Sequence, residues 1–312
     1  MLTKIRPHLS SLLGLLLLAL SVWVISRELR EYNYRDVLNS LGIIPKSRLS
    51  WAIWLTALSY LVMVGYDVIA LNYVGRPLSF NKVAFTSFIS CTFSNTIGFA
   101  LLTGSAIRYR FYSAWGVSTW AIAQVIAFAN FTFWLGMFAV AGMIFLVNPV
   151  PIPSQLKLPP LSVRPIGLVF LLLVSTYLLG SIISRQPWRI RDYEFRFPNF
   201  PVALAQITVS SLDWILAAAV FYPLLPSNTP LSYLDFLGIY LLAMFAGVIS
   251  NVPGGLGVFE TVILLILSQE VSAAAILAAL LLYRGIYYFL PLVIATALLG
   301  FYELRVRYWG NH

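Results

Sequence analysis

The 312-residue chain is mostly apolar: hydrophobic residues make up 60% of it and charged residues 10%. An average soluble domain has about 25% charged residues, and a soluble protein of this length could not cover so many apolar side chains. The formal net charge of +9 comes from basic residues spread between the apolar runs. This pattern is typical of membrane proteins and argues against a nucleic-acid-binding face.

The scarcity of cysteine and histidine excludes several kinds of site. Cys91 is the single cysteine, so the chain has no intramolecular disulfide and no cysteine-based metal site. The two histidines, His8 and His312, lie at the termini. We therefore expect neither a metal nor a cofactor.

Long apolar runs predict membrane-spanning helices, because about 20 residues cross a ~30 Å hydrocarbon core. The first run follows Lys4 and Arg6 and resembles a signal peptide, but no small-residue cleavage site follows it, so we expect a retained helix. The predicted runs are Leu9 to Ser26, Trp51 to Val74, Val83 to Ile107, Ser118 to Val147, Ile166 to Ile183, Pro201 to Tyr222, Phe236 to Ser268 and Val271 to Tyr302.

An internal repeat divides the chain into two halves. Three short elements recur in the same order, at offsets of 153, 156 and 154 residues. They are Pro77-Leu78-Ser79 and Pro230-Leu231-Ser232, then Ser94-Asn95 with Gly98 and Ser250-Asn251 with Gly254, then Val117-Ser118 and Val271-Ser272. We interpret residues 1–312 as a single integral membrane domain with pseudo-repeats at 9–147 and 166–302.

Each half is expected to contain a hairpin. The breaker cluster from Asn251 to Gly255 leaves arms at 234–250 and 256–268, which at 1.5 Å per residue measure roughly 25 and 20 Å. These arms are too short to cross comfortably, which favours a re-entrant hairpin. Residues 83–107 either cross once or form a first hairpin, and hydropathy does not decide between these alternatives.

With two hairpins, each half crosses three times and the second copy is inverted, which is a common plan for transporters. The predicted fold class is therefore all-α: a polytopic helical membrane protein with about six to eight crossings and two re-entrant hairpins in two inverted repeats. With cytoplasmic termini, twelve basic residues lie inside and seven outside, as the positive-inside rule favours. The five basic residues between 27 and 48 run against this bias.

Charged residues inside the apolar runs are functional candidates, because charge is costly in a bilayer. They are Asp67, Asp213, Glu260 and Arg284, and Arg108 lies at a hairpin base. In a purely structural interpretation Arg108 extends to the headgroups, and Asp67 and Arg284 pair with neighbours. Alternatively, they form one polar site between the halves, where a broken helix offers amide groups to a phosphate or carboxylate.

The glycines of the second hairpin tip have two interpretations as well. They can break the helix and supply these amides, or they can permit close helix packing. Pro253 directly before Gly254 and Gly255 favours the break, and Gly257 follows.

An intramembrane aspartyl protease is a competing interpretation of Tyr66-Asp67 with Gly255-Leu256-Gly257. That chemistry needs two carboxylates that share a proton. The residue after Gly257 is Val258 rather than aspartate, so half of the catalytic pair is absent. We expect no enzymatic activity.

Several segments closely resemble the flippase-like membrane domain of the lysylphosphatidylglycerol synthases, the multiple peptide resistance factor family. The resemblance extends from near the N-terminus to about residue 303. Its most specific parts are the Pro-Gly-Gly-x-Gly-x-x-Glu and Leu-Tyr-Arg elements. The similar segments are Tyr66 to Ile69, Gly104 to Arg108, Leu212 to Trp214, Pro253 to Glu260 and Leu282 to Pro291.

The resemblance implies a stand-alone member without the aminoacyl-transferase domain. Family residues implicated in translocation correspond to Asp67, Arg108 and Asp213, and the family more often has glutamate at 213. The leading hypothesis is a flippase or transporter for an anionic or zwitterionic phospholipid. The expected headgroup-binding residues are Asp67, Arg108, Asp213, Pro253, Gly254, Gly255, Gly257, Glu260 and Arg284.

The alternatives are a secondary transporter of a small polar solute and a non-transporting scaffold for lipid or envelope biosynthesis. The expected partners are membrane lipids and not nucleic acid. A homo-oligomer and a separately encoded lipid-synthesising enzyme are left open. The expected location is the bacterial plasma (inner) membrane, with multiple crossings.

Overall fold

The structure is a computed structural model, and it describes most of the chain after residue 41. The predicted span from Leu9 to Ser26 lies outside the described residues. The described residues are 42, 44–97, 100–150, 163–183, 188–190, 193–195, 197–227, 229–250, 255 and 257–309.

Within these residues the chain is almost entirely helical. A 3₁₀ turn, Tyr222–Leu224, extends α6, and a π-helical segment, Arg284–Phe289, joins α9 to α10. The helices are α1 (Lys46–Tyr73), α2 (Phe80–Ile97), α3 (Ala100–Ala114), α4 (Thr119–Val147), α5 (Arg164–Ile183), α6 (Phe200–Phe221), α7 (Tyr233–Ile249), α8 (Val258–Leu267), α9 (Ala273–Tyr283) and α10 (Leu290–Trp309).

Five stretches of described helix are long and apolar enough to cross a membrane. They are α1, α4, α5, α6 with its 3₁₀ turn, and the final stretch from Ala273 to Arg305. Many apolar side chains on their outer faces are exposed, such as Leu168, Leu172 and Leu179 on α5, as expected where lipid replaces water. The predicted all-α polytopic membrane fold is confirmed.

Both predicted hairpins are present as pairs of helices. The first pair, α2 and α3, has 18 and 15 residues, and the two helices pack against each other across residues 98–99. The second pair, α7 and α8, has 17 and 10 residues and also packs together. Since 30 Å of hydrocarbon requires about 20 residues, each arm is short for a full crossing. The structure thus resolves the alternatives for residues 83–107 in favour of a hairpin.

The recurring sequence elements lie at matching points in the helix order. Ser79 precedes α2, and Ser232 precedes α7 at the start of the second hairpin. Ser118 caps α4 by accepting a hydrogen bond from the amide of Ala121, and Ser272 occupies the same position before α9. Serine is favoured at these positions because its hydroxyl can accept hydrogen bonds from the free amides of the first helical turn.

The helices that carry the two lone aspartates lie at the centre of the molecule. Helix α1 packs along α6, and α4 packs against both α5 and α6. At Gly136 a Cβ atom would lie 2.4 Å from atoms of Ser210, so a glycine is needed for α4 to approach α6 this closely. This packing places Asp67 on α1 and Asp213 on α6 in the interior.

The basic loop after α5 contains a short β-hairpin that the sequence analysis missed. Strand β1 (Trp188–Ile190) pairs antiparallel with β2 (Tyr193–Phe195), with Trp188 opposite Phe195. Strands of three residues are too short to produce a periodic pattern.

The last predicted span is not one regular helix, because a π-helical segment interrupts it. Pro291 has no amide hydrogen, so it cannot bond the carbonyl of Tyr287 four residues earlier. The hydroxyl of Tyr60 on α1 donates to that carbonyl instead, at 3.1 Å. A side chain of a neighbouring helix therefore satisfies the carbonyl that the proline leaves free, as is usual in membrane helices.

We predict that Tyr60 and Pro291 are energetically coupled. Tyr60→Phe removes the buried hydrogen bond to the Tyr287 carbonyl and should cost ~1–3 kcal/mol. In a Pro291→Ala background the new amide can bond that carbonyl, so the same substitution should cost clearly less. Unfolding of the four proteins in detergent measures the coupling. An equal cost of Tyr60→Phe in both backgrounds would contradict this account of the π-helical segment.

Candidate functional site

A buried ion pair joins the first hairpin to α1. Arg108 on α3 donates from Nε to Oδ1 of Asp67 at 2.7 Å and from Nη2 to Oδ2 at 2.8 Å. Asp67 is fully buried and Arg108 is 6% exposed. The purely structural interpretation in which Arg108 extends to the headgroups is wrong, because the bidentate bond to Asp67 holds its guanidinium group in the protein interior.

A small recess adjoins the same arginine. The bonds to Asp67 use Nε and Nη2, whereas Nη1 faces the bare α-carbon of Gly104. A Cβ atom at Gly104 would lie 3.3 Å from Nη1 and 2.1 Å from Oγ of Ser94 on α2. That serine hydroxyl is buried and has no hydrogen-bond partner among the described residues. The hydroxyl of Ser94 and Nη1 of Arg108 thus lie where a side chain of residue 104 would be, and we call this polar position the recess at Gly104.

Further hydroxyl groups extend this polar surface along α2. Thr86, Ser90 and Ser94 follow one another at a spacing of four residues, so they lie on one face of the helix. Their hydroxyl oxygens are buried and lack partners within the described chain, as does that of Ser105 on α3. A run of unpaired hydroxyls is unusual in an apolar protein, because each one costs free energy when buried without a partner.

A second buried ion pair joins the second hairpin to the π-helical segment. Arg284 donates from Nε and Nη2 to Oε1 of Glu260, at 2.9 and 2.5 Å. Oε2 of Glu260 accepts from the amide of Gly257, at 2.8 Å. The guanidinium group also lies 4.8 Å above the ring of Tyr288. This carboxylate is therefore compensated by a cation and by the first turn of its own helix.

The glycine spacing of the hairpin tip has a backbone explanation. Gly255 and Gly257 have φ angles of +65° and +79°, in the left-handed region that glycine adopts without strain. Pro253 and Gly254 lie outside the described residues. The sequence analysis places Gly257 in the headgroup site, but its amide already donates a hydrogen bond to Glu260. The protein's own carboxylate thus occupies the positive end of α8, where an anion is favoured.

Asp213 lies in a cluster of hydroxyl groups. It accepts from the hydroxyl of Tyr66 at 2.7 Å and from that of Ser59 at 3.0 Å. Ser59 in turn lies 3.0 Å from the hydroxyl oxygen of Tyr287. Asp213 is 4% exposed, and no salt bridge to it is present within the described part of the chain. Both lone aspartates are thus interior, and of the two only Asp67 is paired with a cation in the described part of the chain.

The structure gives Arg108 and Arg284 different carboxylate partners, so a single anion site built from both arginines stays a prediction. Sequence reasoning missed the residues around these charges, namely Ser59, Tyr66, Ser94, Gly104 and Tyr287. Ser94 does belong to a recurring element, and Gly104 begins the Gly-Ser-Ala-Ile-Arg segment. No cluster of three His, Cys, Asp or Glu residues suited to a metal occurs among the residues described.

Comparison with known sequences gives the family. A family model described as the lysylphosphatidylglycerol synthase TM region matches residues 11–295. The chain belongs to this family. The similarity inferred from the Pro-Gly-Gly-x-Gly-x-x-Glu and Leu-Tyr-Arg elements is thereby confirmed.

Members of the lysylphosphatidylglycerol synthase TM region family differ in length and name. The uncharacterized protein slr0712 of Synechocystis sp. is 46% identical over 303 residues, which are 96% of this chain and 94% of the relative. The inner membrane protein YbhN of Escherichia coli is 32% identical over 276 residues, or 88% and 81% of the two chains. Phosphatidylglycerol lysyltransferase of Staphylococcus aureus is 27% identical over 278 residues, which are 88% of this chain but 32% of that enzyme.

We predict that the Asp67–Arg108 pair is far more important for stability than the half-exposed pair of Arg110 with Glu303. Asp67→Asn leaves a buried guanidinium uncompensated and should cost ~3–5 kcal/mol. Glu303→Gln breaks the half-exposed pair and should cost under ~1 kcal/mol. Unfolding in detergent measures both. Similar losses of unfolding free energy for the two variants would show that burial of the Asp67–Arg108 pair contributes little to stability.

Proposed function

We propose that this protein moves an anionic or zwitterionic phospholipid between the leaflets of the bacterial plasma (inner) membrane and catalyses no chemical reaction. The observation that carries the proposal is the recess at Gly104, where Nη1 of Arg108 lies near the unpartnered hydroxyl of Ser94. A phosphate oxygen next to these two groups would accept hydrogen bonds from both. Arginine suits this task because its planar donors match the geometry of phosphate oxygens.

The charge balance of the site supports a substrate that enters and leaves. Asp67 neutralises Arg108 when the recess is empty, so no net charge is buried between transport events. The unpaired hydroxyls along α2 would replace part of the headgroup's hydration during its passage. The cationic and anionic groups of a zwitterionic headgroup would interact with Asp67 and Arg108, respectively. An anionic headgroup would interact with Arg108.

The relatives support a lipid as the substrate class. The Staphylococcus aureus relative is named as a lysyltransferase of phosphatidylglycerol, and its similarity to this chain covers 32% of its length. YbhN is named as an inner membrane protein. A membrane domain shared by such proteins fits a role in handling the lipid itself.

Gly104→Ala tests the recess directly. The added methyl group would lie 2.1 Å from Oγ of Ser94 and 3.3 Å from Nη1 of Arg108, so it displaces these donors and the rate of lipid movement should fall at least ~10-fold. The assay uses vesicles of phosphatidylethanolamine and phosphatidylglycerol that contain the purified protein and a fluorescent phosphatidylglycerol, bleached from outside by dithionite. Gly300→Ala is the matched control, because a Cβ atom there meets nothing within 4 Å.

The double variant Gly104→Ala, Ser94→Ala separates a lipid recess from simple packing. If the glycine only makes room for the serine hydroxyl, removal of that hydroxyl restores the wild-type rate and overturns the proposal. If the recess holds a headgroup, the double variant stays slow. Wild-type protein that leaves the labelled lipid unmoved would also overturn it and would favour the solute-transporter or scaffold alternatives.

Arg284→Lys tests whether the second ion pair takes part. Lysine keeps the charge but loses the two-donor contact with Glu260 and the planar stacking on Tyr288, so the transport rate should fall ~10-fold. Arg110→Lys, at the half-exposed pair with Glu303, is the control and should retain the wild-type rate. A wild-type rate for Arg284→Lys would exclude Arg284 from the transport site.

A further inference from the structure

Asp213 differs from the other buried carboxylates of the described chain. Asp67 is paired with Arg108, and Glu260 is paired with Arg284. Asp213 has hydroxyl groups as its hydrogen-bond partners and no cation partner among the described residues. It nevertheless lies 4% exposed on α6, a helix long and apolar enough to cross the membrane.

Among the described residues, no charged group faces Asp213 from the helices that pack around it. From α1 come Ser59 and Tyr66, and the neighbouring Asp67 is directed to Arg108. Helix α4 contains no ionisable side chain, and Tyr177 of α5 bonds Gln206, two turns away from Asp213. The other ionisable groups that interact with Asp213 are neutral at physiological pH. They are Cys91 of α2, Tyr240 of α7, and Tyr287 and Tyr288 of the π-helical segment.

An ionised carboxylate in this position bears a large desolvation penalty that hydroxyl groups offset only in part. The penalty disappears when the carboxylate takes up a proton. We propose that Asp213 is a proton-binding site, and that its protonation and deprotonation are coupled to lipid movement. The coupling rests on the proposed function, whereas the proton site itself does not. In the uptake step a hydronium ion transfers one proton to the carboxylate, which gives the carboxylic acid and water.

The hydroxyl cluster is built to accommodate both forms of Asp213. In the ionised form, Ser59 donates to Oδ1 and can accept from Tyr287. In the acid form, Oδ1–H donates to Ser59, whose own hydrogen then turns to Tyr287. Hydroxyl groups permit this exchange because each can donate and accept. The same three side chains therefore form a short path along which a proton can travel between Asp213 and the π-helical segment.

The geometry favours a proton over a metal cation. Tyr66 and Ser59 lie at 2.7 and 3.0 Å from the two carboxylate oxygens, at the distances of direct hydrogen bonds. A hard cation needs about six oxygen ligands arranged around it. Among the described residues, Asp213 has two hydroxyl oxygens as partners, and both direct their hydrogen atoms at the carboxylate.

An infrared measurement tests the proton site without any transport assay. Purified protein in neutral buffer should show the C=O stretch of a protonated carboxyl group that water-exposed carboxyls do not give, since these are ionised above about pH 5. The band should vanish in Asp213→Asn and persist in Glu270→Gln, a matched change at an exposed carboxylate. A band that persists in Asp213→Asn, or no band at any pH at which the protein is folded, overturns the proton site.

A transport measurement tests the coupling. A pH gradient across vesicles that contain the wild-type protein should change the rate of labelled phosphatidylglycerol movement at least ~3-fold, and nigericin should abolish the change. Asp213→Asn should move lipid at a rate that no longer responds to the gradient, while Glu270→Gln should respond like the wild type. Asp213→Glu, which keeps the carboxyl group, should also respond.

The outcomes separate this inference from the proposed function. Lipid movement that ignores the pH gradient, or responds to a sodium gradient instead, overturns the coupling and leaves the flippase standing. Absence of lipid movement by the wild-type protein overturns the proposed function and with it the coupling. The infrared band then still decides whether Asp213 binds a proton.

Discussion

A charge buried in lipid must find a partner, and this constraint determines how the two hairpins are attached. The second arm of each hairpin supplies one member of an ion pair: Arg108 from α3 and Glu260 from α8. The other member belongs to a long helix, Asp67 on α1 or Arg284 in the π-helical segment. Because separation of either pair would leave an unpaired charge at a cost of several kcal/mol, each pair fixes the position of its hairpin against the long helix.

The π-helical segment before α10 contacts both α1 and the hydroxyl cluster at Asp213. The carbonyl of Tyr287 accepts a hydrogen bond from Tyr60. The hydroxyl of Tyr287 contacts Ser59, which bonds Asp213. Both bonds end on α1, which also carries Asp67. Pro291 has no amide hydrogen to donate to the preceding turn, and the irregular turn before it places Tyr287 in contact with both Tyr60 and Ser59. Short π-helical segments of this kind frequently occur at functional positions.

The sequence predicted the helical runs and the hairpin arms because apolar length and breaker residues are local properties. The predicted arms at 234–250 and 256–268 differ from α7 and α8 by one or two residues at each end. The partners of the buried charges could not be predicted in the same way. Arg108 and Asp67 are 41 residues apart, and tertiary packing alone selects that partner. The recess at Gly104 could not be predicted for a similar reason. Its formation depends on α2 packing so that Ser94 lies against Gly104.

Glu260 behaves as a resident ligand of the second hairpin. Its carboxylate already bonds the Gly257 amide and Arg284, so an incoming anion meets an occupied position and must compete with a group that is always at hand. Such competition lowers the net affinity for any external anion and shortens its residence time. Tight capture would serve a storage protein or a receptor, whereas weak and rapidly reversible occupancy serves a protein that must release its cargo to begin the next cycle.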